Sequence, residues 1–248
     1  MKVFLSALEN SSNGIKVVEE IKEMKWNLCS YYYLTKNHEH FMKVLNQSEE
    51  ILIDSGAHSF QYGTKVKWVE YTKEYAQWIQ QIDCDKIIGY FEMDVDNIIG
   101  YDKVLELRAM LEQVSDKIIP VWHKNRGIED YKKMCRDYSG KIVAIAGFVN
   151  KDIKDDQFIM FLKYAHKYNC KLHCLGMTRK KILDEVPFDY VDSSSWVQNG
   201  IFGKARGNKV SKETYDKEAR QEVMLMNYKE GIEMQEHYYK KWRHINND

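Results

Sequence analysis

Along the chain, short apolar runs alternate with longer stretches whose apolar residues recur every three or four positions. The runs are KVFLSAL (2–8), NLCSYYYL (27–34), EILIDSG (50–56), KIIGYFEMD (86–94), KIIPVWH (117–123), KIVAIAGFV (141–149), KLHCLGM (171–177) and DYVDSSSW (189–196). Compact apolar runs bounded by polar residues predict parallel strands buried on both faces. Between them, GIKVVEEIKEMK (14–25) sets Ile15, Val18 and Ile21 at helical spacing, and VKWVEYTKEYAQWIQQI (66–82) carries Trp68, Tyr71, Tyr75 and Trp78 on one stripe. YDKVLELRAMLEQV (101–114) and DDQFIMFLKYAHKY (155–168) repeat the pattern, and such stripes predict helices packed on a core. Strand then helix, eight times over, predicts an α/β chain folded as a (β/α)8 TIM barrel. A doubly wound sheet is the alternative, but LENSSNG after the first run holds no Gly-rich phosphate loop. The C-terminal part predicts one or two closing helices, with Ser211 as an N-cap, Tyr215 inside the first turns and a basic-aromatic tip from Tyr238 to Arg243.

Composition narrows the picture. The 248 residues are 44% hydrophobic, enough for one large domain over 1–248 in which 204–248 forms a C-terminal helical extension. Lys+Arg and Asp+Glu number 37 each, so any nucleic-acid contact must come from a local patch. The segment KARGNKVSKETYDKEAR (204–220) is such a patch, with Lys204, Arg206 and Lys209 at its head; a solvated helix face is the bland alternative. Five scattered cysteines and an N-terminus unlike a secretory signal point to a reducing, cytoplasmic setting. No run approaches the ~18 apolar residues of a membrane helix, so no membrane partner is expected. Metal spacing is poor. Strand alternation puts His173 and Cys174 of CKLHC on opposite faces, and i, i+2 residues diverge in HEH (38–40), so no metal or cofactor is expected.

In a barrel the working residues stand where strands end. Those ends offer Asp54 and Ser55; Glu92, Asp94 and Asp96; Trp122 and His123; Gly147 and Phe148; Gly176; and Asp192 with Ser193 and Trp196. Carboxylates, an imidazole, aromatic rings and glycines at one mouth suit a flat polar heterocycle: rings stack, carboxylates accept from N–H groups, glycines allow close approach. Two carboxylates in one cleft also suit glycosidic chemistry, one attacking the anomeric carbon and the other moving protons. Each Asp could instead be only a helix cap.

Taken in order, these segments resemble the tRNA-guanine transglycosylases. DSGAHSFQ (54–61) is similar to their DSGG-[FY]-Q segment, FEMDVDN (91–97) to the strand whose aspartate binds the incoming base, and AIAGF (144–148) and LHCLGM (172–177) to their Gly-bearing strands. YVDSSSWVQNG (190–200) resembles the nucleophile strand in its archaeal form. The short length and VDSSSW look closest to the phage and bacterial DNA-modifying, DpdA-like branch. The resemblance implies a TIM barrel and a pentosyltransferase that exchanges guanine for a 7-deazaguanine through a covalent aspartyl-glycosyl intermediate, in DNA rather than tRNA. It makes Asp192 the nucleophile and Asp54 the proton shuttle. Asp94, or Asp96 close by, would bind the heterocycle, Phe60 would stack, and Gly147 would offer its backbone. Gln61, His123, Phe148, Gly176 and Trp196 complete the implied base pocket, with Trp122, Phe148 and Trp196 as the wall that excludes water. Three departures stand out. Residues are added before Phe60–Gln61, VWHKN puts His123 where the family reads the base with glutamine, and no cysteine follows Cys174, so the tRNA enzymes' zinc site is absent. Asp189 is the other candidate nucleophile, but it opens the strand that Asp192 ends. The near-neutral charge leaves room for a helper subunit. A nucleoside N-glycosidase and a non-catalytic nucleobase-binding barrel are the other classes.

Overall fold

The computed structural model describes residues 1–60, 66–146, 153–210 and 215–245. Eight parallel strands run in order around a barrel: β1 (Lys2–Ser6), β2 (Met24–Ser30), β3 (Ser48–Asp54), β4 (Ile87–Phe91), β5, β6 (Ile142–Ala146), β7 (Lys171–Leu175) and β8 (Tyr190–Ser193). The fifth is in two pieces, Ile118–Ile119 and Val121–Trp122, either side of Pro120, so nine strand segments make eight strands. The first piece pairs with β4, the second with β6, and β8 returns to β1 with Phe4 opposite Asp192. Pro120 has no N–H to give, yet its carbonyl still accepts from Ala144, which carries the ladder past the break.

Helices cover the outside: α1 (Ser11–Glu20), α2 (Tyr31–Leu34), α3 (His38–Gln47), α4 (Trp68–Ile82), α5 (Asp96–Ile99), α6 (Tyr101–Glu112), α7 (Gly127–Asp137), α8 (Phe158–Lys167), α9 (Lys180–Glu185), α10 (Ser195–Ile201) and α11 (Lys217–Trp242). A short hairpin, β9 (Lys204–Ala205) with β10 (Asn208–Lys209), stands between the last two. Three predicted boundaries shift. Strand β2 starts at Met24, inside the run read as helix, and stops at Ser30, where Tyr31–Leu34 turns helical because Tyr31 packs onto Tyr71, Tyr75 and Trp78. The extension is a single helix capped by Asp216, whose carboxylate accepts from the Ala219 amide; Tyr215 precedes it and Ser211 lies outside the described residues.

Strand alternation sorts the core. Phe4, Leu28, Leu52, Phe91, Ile119, Val121 and Ala144 fill the barrel, while their neighbours Leu5, Cys29, Ile53, Tyr90 and Ile145 face the helices. The aromatic stripe of α4 is core packing, with Tyr75 fully buried. Helix α11 lies along β1 and β2, where Gln235 donates to the carbonyls of Val3 and Trp26 and Tyr228 to Asn27. Among the described residues no helix is long and apolar enough to cross a membrane. All five cysteines are free.

Candidate active site

Two residues beyond each barrel-filling side chain, the same face of the strand reaches the C-terminal mouth. That rule carries Phe4 to Ser6, Leu28 to Ser30, Leu52 to Asp54, Val121 to His123 and Tyr190 to Asp192. Both candidate catalytic carboxylates therefore rise from the barrel interior at one end. Ser30 is the register partner of Asp54, and β1 and β2 separate the strands of the two acids.

Asp192 is held from below and from the side. His173 Nε2 lies 2.9 Å from its Oδ1, the Gly176 amide donates to the same oxygen at 2.8 Å, and the Ser6 hydroxyl stands 3.4 Å from Oδ2. His173 is fully buried among the rings of Phe4, Phe91 and Tyr190, and its Nδ1 has no hydrogen-bond partner. Gly176 turns toward the carboxylate at φ 63°, a left-handed conformation that favours glycine. Its amide serves Asp192, a different role from the base contact expected of it.

Asp54 ends β3 and turns back on itself: its Oδ2 accepts from the Gly56 amide at 2.8 Å. Gly56 has φ 77°, and a Cβ there would come within 2.5 Å of Tyr32 Cβ, so a side chain is excluded twice over. Tyr71 donates to the Ser55 carbonyl and braces the same turn. Phe60 follows on a 3₁₀ turn and is held edge-on by Tyr32, Trp68 and Tyr71, at 4.8, 5.9 and 5.1 Å between ring centroids. The ring expected to stack on a base is thus locked in an aromatic cluster beside Asp54.

Asp94 and His123 form the third part of the mouth, with Asp94 Oδ1 bonded to His123 Nε2. Burial would push the imidazole down, but the hydrogen bond and charge of Asp94, with Asp96 behind, hold it above its ordinary value. A histidine ring bonded to a carboxylate offers polar edges to a heterocycle. Asp96 starts α5 with its carboxylate buried; its oxygens lack hydrogen bonds and face the Arg126 guanidinium at 3.8 Å, which lies over the Tyr101 ring. Asp94, Asp96 and His123 bring ligand atoms within 4.8 Å of one another, a donor set a divalent cation could use. Arg126 already supplies positive charge to Asp96. Of the two aspartates, Asp94 is the one paired with His123 and partly open to solvent.

Several expected residues turn away. Trp122 is buried outside the barrel against Tyr131 and Phe161, and Trp196 packs on Tyr228 while donating to the Ser6 carbonyl. Trp196 is core rather than base pocket, and neither tryptophan can wall the mouth. The period of two explains the first, because Trp122 must face opposite to His123. Glu92 also points out, in a bidentate pair with Arg108, and accepts from the Val121 amide where the β4 backbone has ended. Gln61, Gly147 and Phe148 lie outside the described residues.

Asp189, the rival nucleophile, is buried where β8 begins, bonded by His166 Nε2 and the Leu172 amide at 2.8 Å each, with Lys171 at 3.4 Å. The basic hairpin packs on α11: the Arg206 backbone amide donates to Asn227, its guanidinium pairs with Glu233 at 2.6 Å, and Lys209 is exposed. A cavity of about 490 Å³ opens on the helix layer by Arg108, Glu112 and Tyr138, and a smaller one lies between α10 and α11; neither is lined by the mouth carboxylates.

Sequence reading missed one group altogether. Glu9, just after β1, is 2% exposed, and its Oε2 has no hydrogen-bond partner. Burial raises its carboxyl to about 7, with the charge of Asp54 adding to the rise, against the hydrogen bonds of the Glu9 and Ser30 amides and the Cys29 thiol. Its one signal in the chain is an acid directly after an apolar run.

No protein-family model matches the chain, and no curated protein matches it. What stands is the fold class, a (β/α)8 barrel with carboxylates gathered at its C-terminal mouth.

Proposed function

We propose that the protein is a base-exchanging pentosyltransferase, replacing guanine by a 7-deazaguanine in a nucleic acid, DNA in preference to tRNA. The observation that carries this reading is Asp192: a strand-end carboxylate in the barrel interior, fixed through one oxygen by His173 and Gly176, with only the Ser6 hydroxyl near the other. A nucleophile must be held in line with its target carbon, and the less engaged oxygen is free to approach C1′. Attack there forms an aspartyl ester and displaces the base. Asp54 protonates the departing ring and takes the proton from the incoming one. Asp94 and His123 would bind the heterocycle edge and Phe60 would bound its face; a base in a duplex must first leave the stack. Neither a metal nor a cofactor is needed for these steps.

Exchange of labelled guanine into DNA and into tRNA tests the reading and ranks the two substrates. Base release from free nucleosides with no incorporation would move the chain to the N-glycosidases. Binding without exchange, unchanged in Asp192→Ala, would make it a non-catalytic barrel.

A further inference from the structure

Asp94, Asp96 and His123 come from three places that the barrel brings together. Asp94 follows β4, Asp96 opens α5 and His123 follows β5. Val95 is buried between the two aspartates and anchors the turn, so residues two apart in the chain bring their carboxylates together. Their donor atoms and that of the imidazole lie within 4.8 Å of one another. Some point therefore stands within about 2.8 Å of all three, and side-chain shifts of less than about 1 Å would bring it to the ~2.0–2.2 Å at which zinc meets carboxylate oxygen and imidazole nitrogen.

Asp96 supplies a second observation. Its side chain is 4% exposed, and no hydrogen bond reaches either oxygen. A buried carboxylate without hydrogen bonds is costly to keep. Arg126 does not meet that need. Its Nε stands 3.8 Å from Asp96 Oδ2, past hydrogen-bond reach, and equally 3.8 Å from Asp130 Oδ2. Its Nη2 donates to the Val121 carbonyl, and the guanidinium lies over the Tyr101 ring. Tied in this way to β5, α6 and α7, Arg126 steadies the carboxylate from behind, as outer partners of ligating carboxylates do.

We propose that Asp94, Asp96 and His123 form a binding site for one divalent transition-metal ion of the zinc class. The donor set selects the class. Two carboxylates and one imidazole, with no sulfur, suit a borderline ion such as Zn²⁺. Mg²⁺ and Ca²⁺ prefer oxygen alone, and soft ions prefer thiolate. The ion would take the place of the proton that joins Asp94 to His123. Three protein donors leave a further coordination position. Asp94 and His123 are 31% and 20% exposed, so that position opens on the mouth, to water or to a polar ligand. The site goes beyond the base-exchange reading, whose steps use no metal, and is tested apart from it.

The test is metal binding by the full chain after stripping with a chelator. Calorimetric titration with Zn²⁺ alone should show one equivalent bound at micromolar affinity or tighter. His123→Ala and Asp96→Asn should each weaken that binding by about 100-fold or more, at or beyond what loss of an outer partner costs. Cys84→Ser, which removes the exposed thiol, should bind as the wild type does. Co²⁺ in place of Zn²⁺ reports the donors through its visible absorption, and bands of oxygen and nitrogen ligation without thiolate charge transfer are expected. Thiolate charge transfer, loss of binding in Cys84→Ser, millimolar affinity in the wild type, or wild-type affinity in His123→Ala overturns the site. If Asp96→Asn fails to fold, His123→Ala, on a partly open turn, carries the test: Zn²⁺ should raise the Tm of the wild type and leave that variant unchanged, and an equal rise in both overturns the site.

Discussion

Asp189 and Asp192 stand at opposite ends of one strand and live in different chemistries. Asp189, at the floor, is 2% exposed and bonded by an imidazole and an amide from the β7 side, with an ammonium close by. Asp192, at the mouth, is 14% exposed, and its Oδ2 has only a hydroxyl at 3.4 Å. The floor shows the same closure elsewhere: Lys2 meets Glu50 at 2.8 Å, and Gln235 saturates two strand carbonyls. Buried atoms without a hydrogen bond occur at both ends, on Asp189 Oδ1 at the floor and on Glu9, Ser30, Ser55 and Asp96 at the mouth, but at the floor the Lys171 ammonium stands 3.4 Å from that oxygen. A carboxylate sealed from solvent beside an imidazole and an ammonium is a strut, and one partly open to solvent at the mouth can act on something else.

Exchanging the fates of these two aspartates gives the largest expected effect. Asp192→Ala should lower base exchange by about 10⁴-fold and abolish the covalent adduct, seen as a protein band shifted by cross-linked oligonucleotide, while folding is kept. Asp189→Ala should retain the adduct and lose stability by about 3 kcal/mol, a fall of about 10 °C in Tm, because His166 and Lys171 lose their anion. The reverse outcome would exchange the assignments of mouth and floor.

His173 links the barrel interior to the mouth. Its Nε2 bond to Asp192 is a hydrogen bond to a carboxylate, worth about 1.5–3 kcal/mol. Substituting Phe keeps a ring among Phe4, Phe91 and Tyr190 but removes the donor, so single-turnover formation of the adduct should slow by about 10- to 100-fold with binding of the nucleic acid little changed. Equal loss of binding and rate would mean that the ring serves packing alone.

Glu9 extends the contrast to stability. Its folded carboxyl titrates at about 7, above the ordinary 4.5. A group raised in this way stabilises the fold fully below pH 4.5, and that contribution is lost as pH rises through 7. The loss amounts to about 3 kcal/mol. Urea denaturation of the wild type should therefore show stability falling between pH 5 and 8, and Glu9→Gln should remove most of that slope. A slope unchanged by the substitution would place the titration elsewhere.

Much of this was legible before the fold was known, for a physical reason. Parallel barrel strands are apolar on both faces, so Ile51–Ile53 or Val143–Ile145 read as runs whichever side each residue takes. That redundancy is also why direction was lost. Consecutive apolar letters do not say that Trp122 faces the helices and His123 the mouth, and only the period of two, anchored by one known interior residue, separates them. The tyrosines 31–33 look like strand by composition, whereas contacts with α4 make them helix. Asp54 and Asp192 were readable because they stand at strand ends, and Asp94 because it follows the end of β4 by three residues. Glu9 was not, because its burial depends on a left-handed Ala7 and on His40, which no local pattern encodes.

The smallest effect concerns the hairpin. If nucleic acid lies across it, each phosphate contact removed should lessen the salt dependence of binding by about one unit of log–log slope. The three cations are not equivalent. The Arg206 guanidinium already pairs with Glu233, and Lys204 is half-buried, whereas Lys209 is exposed at the end of the return strand. Lys209→Ala should therefore show the change of about one unit, Lys204→Ala less, and Arg206→Ala nearly none beyond local destabilisation. Lys240→Ala and Lys241→Ala, at the floor end of α11, are the matched control, since Lys241 is held by Asp184 and both lie far along the helix from the hairpin. Equal slopes for hairpin and floor variants would mean that the backbone contacts lie elsewhere and would leave the charge of 204–209 as an ordinary solvated surface.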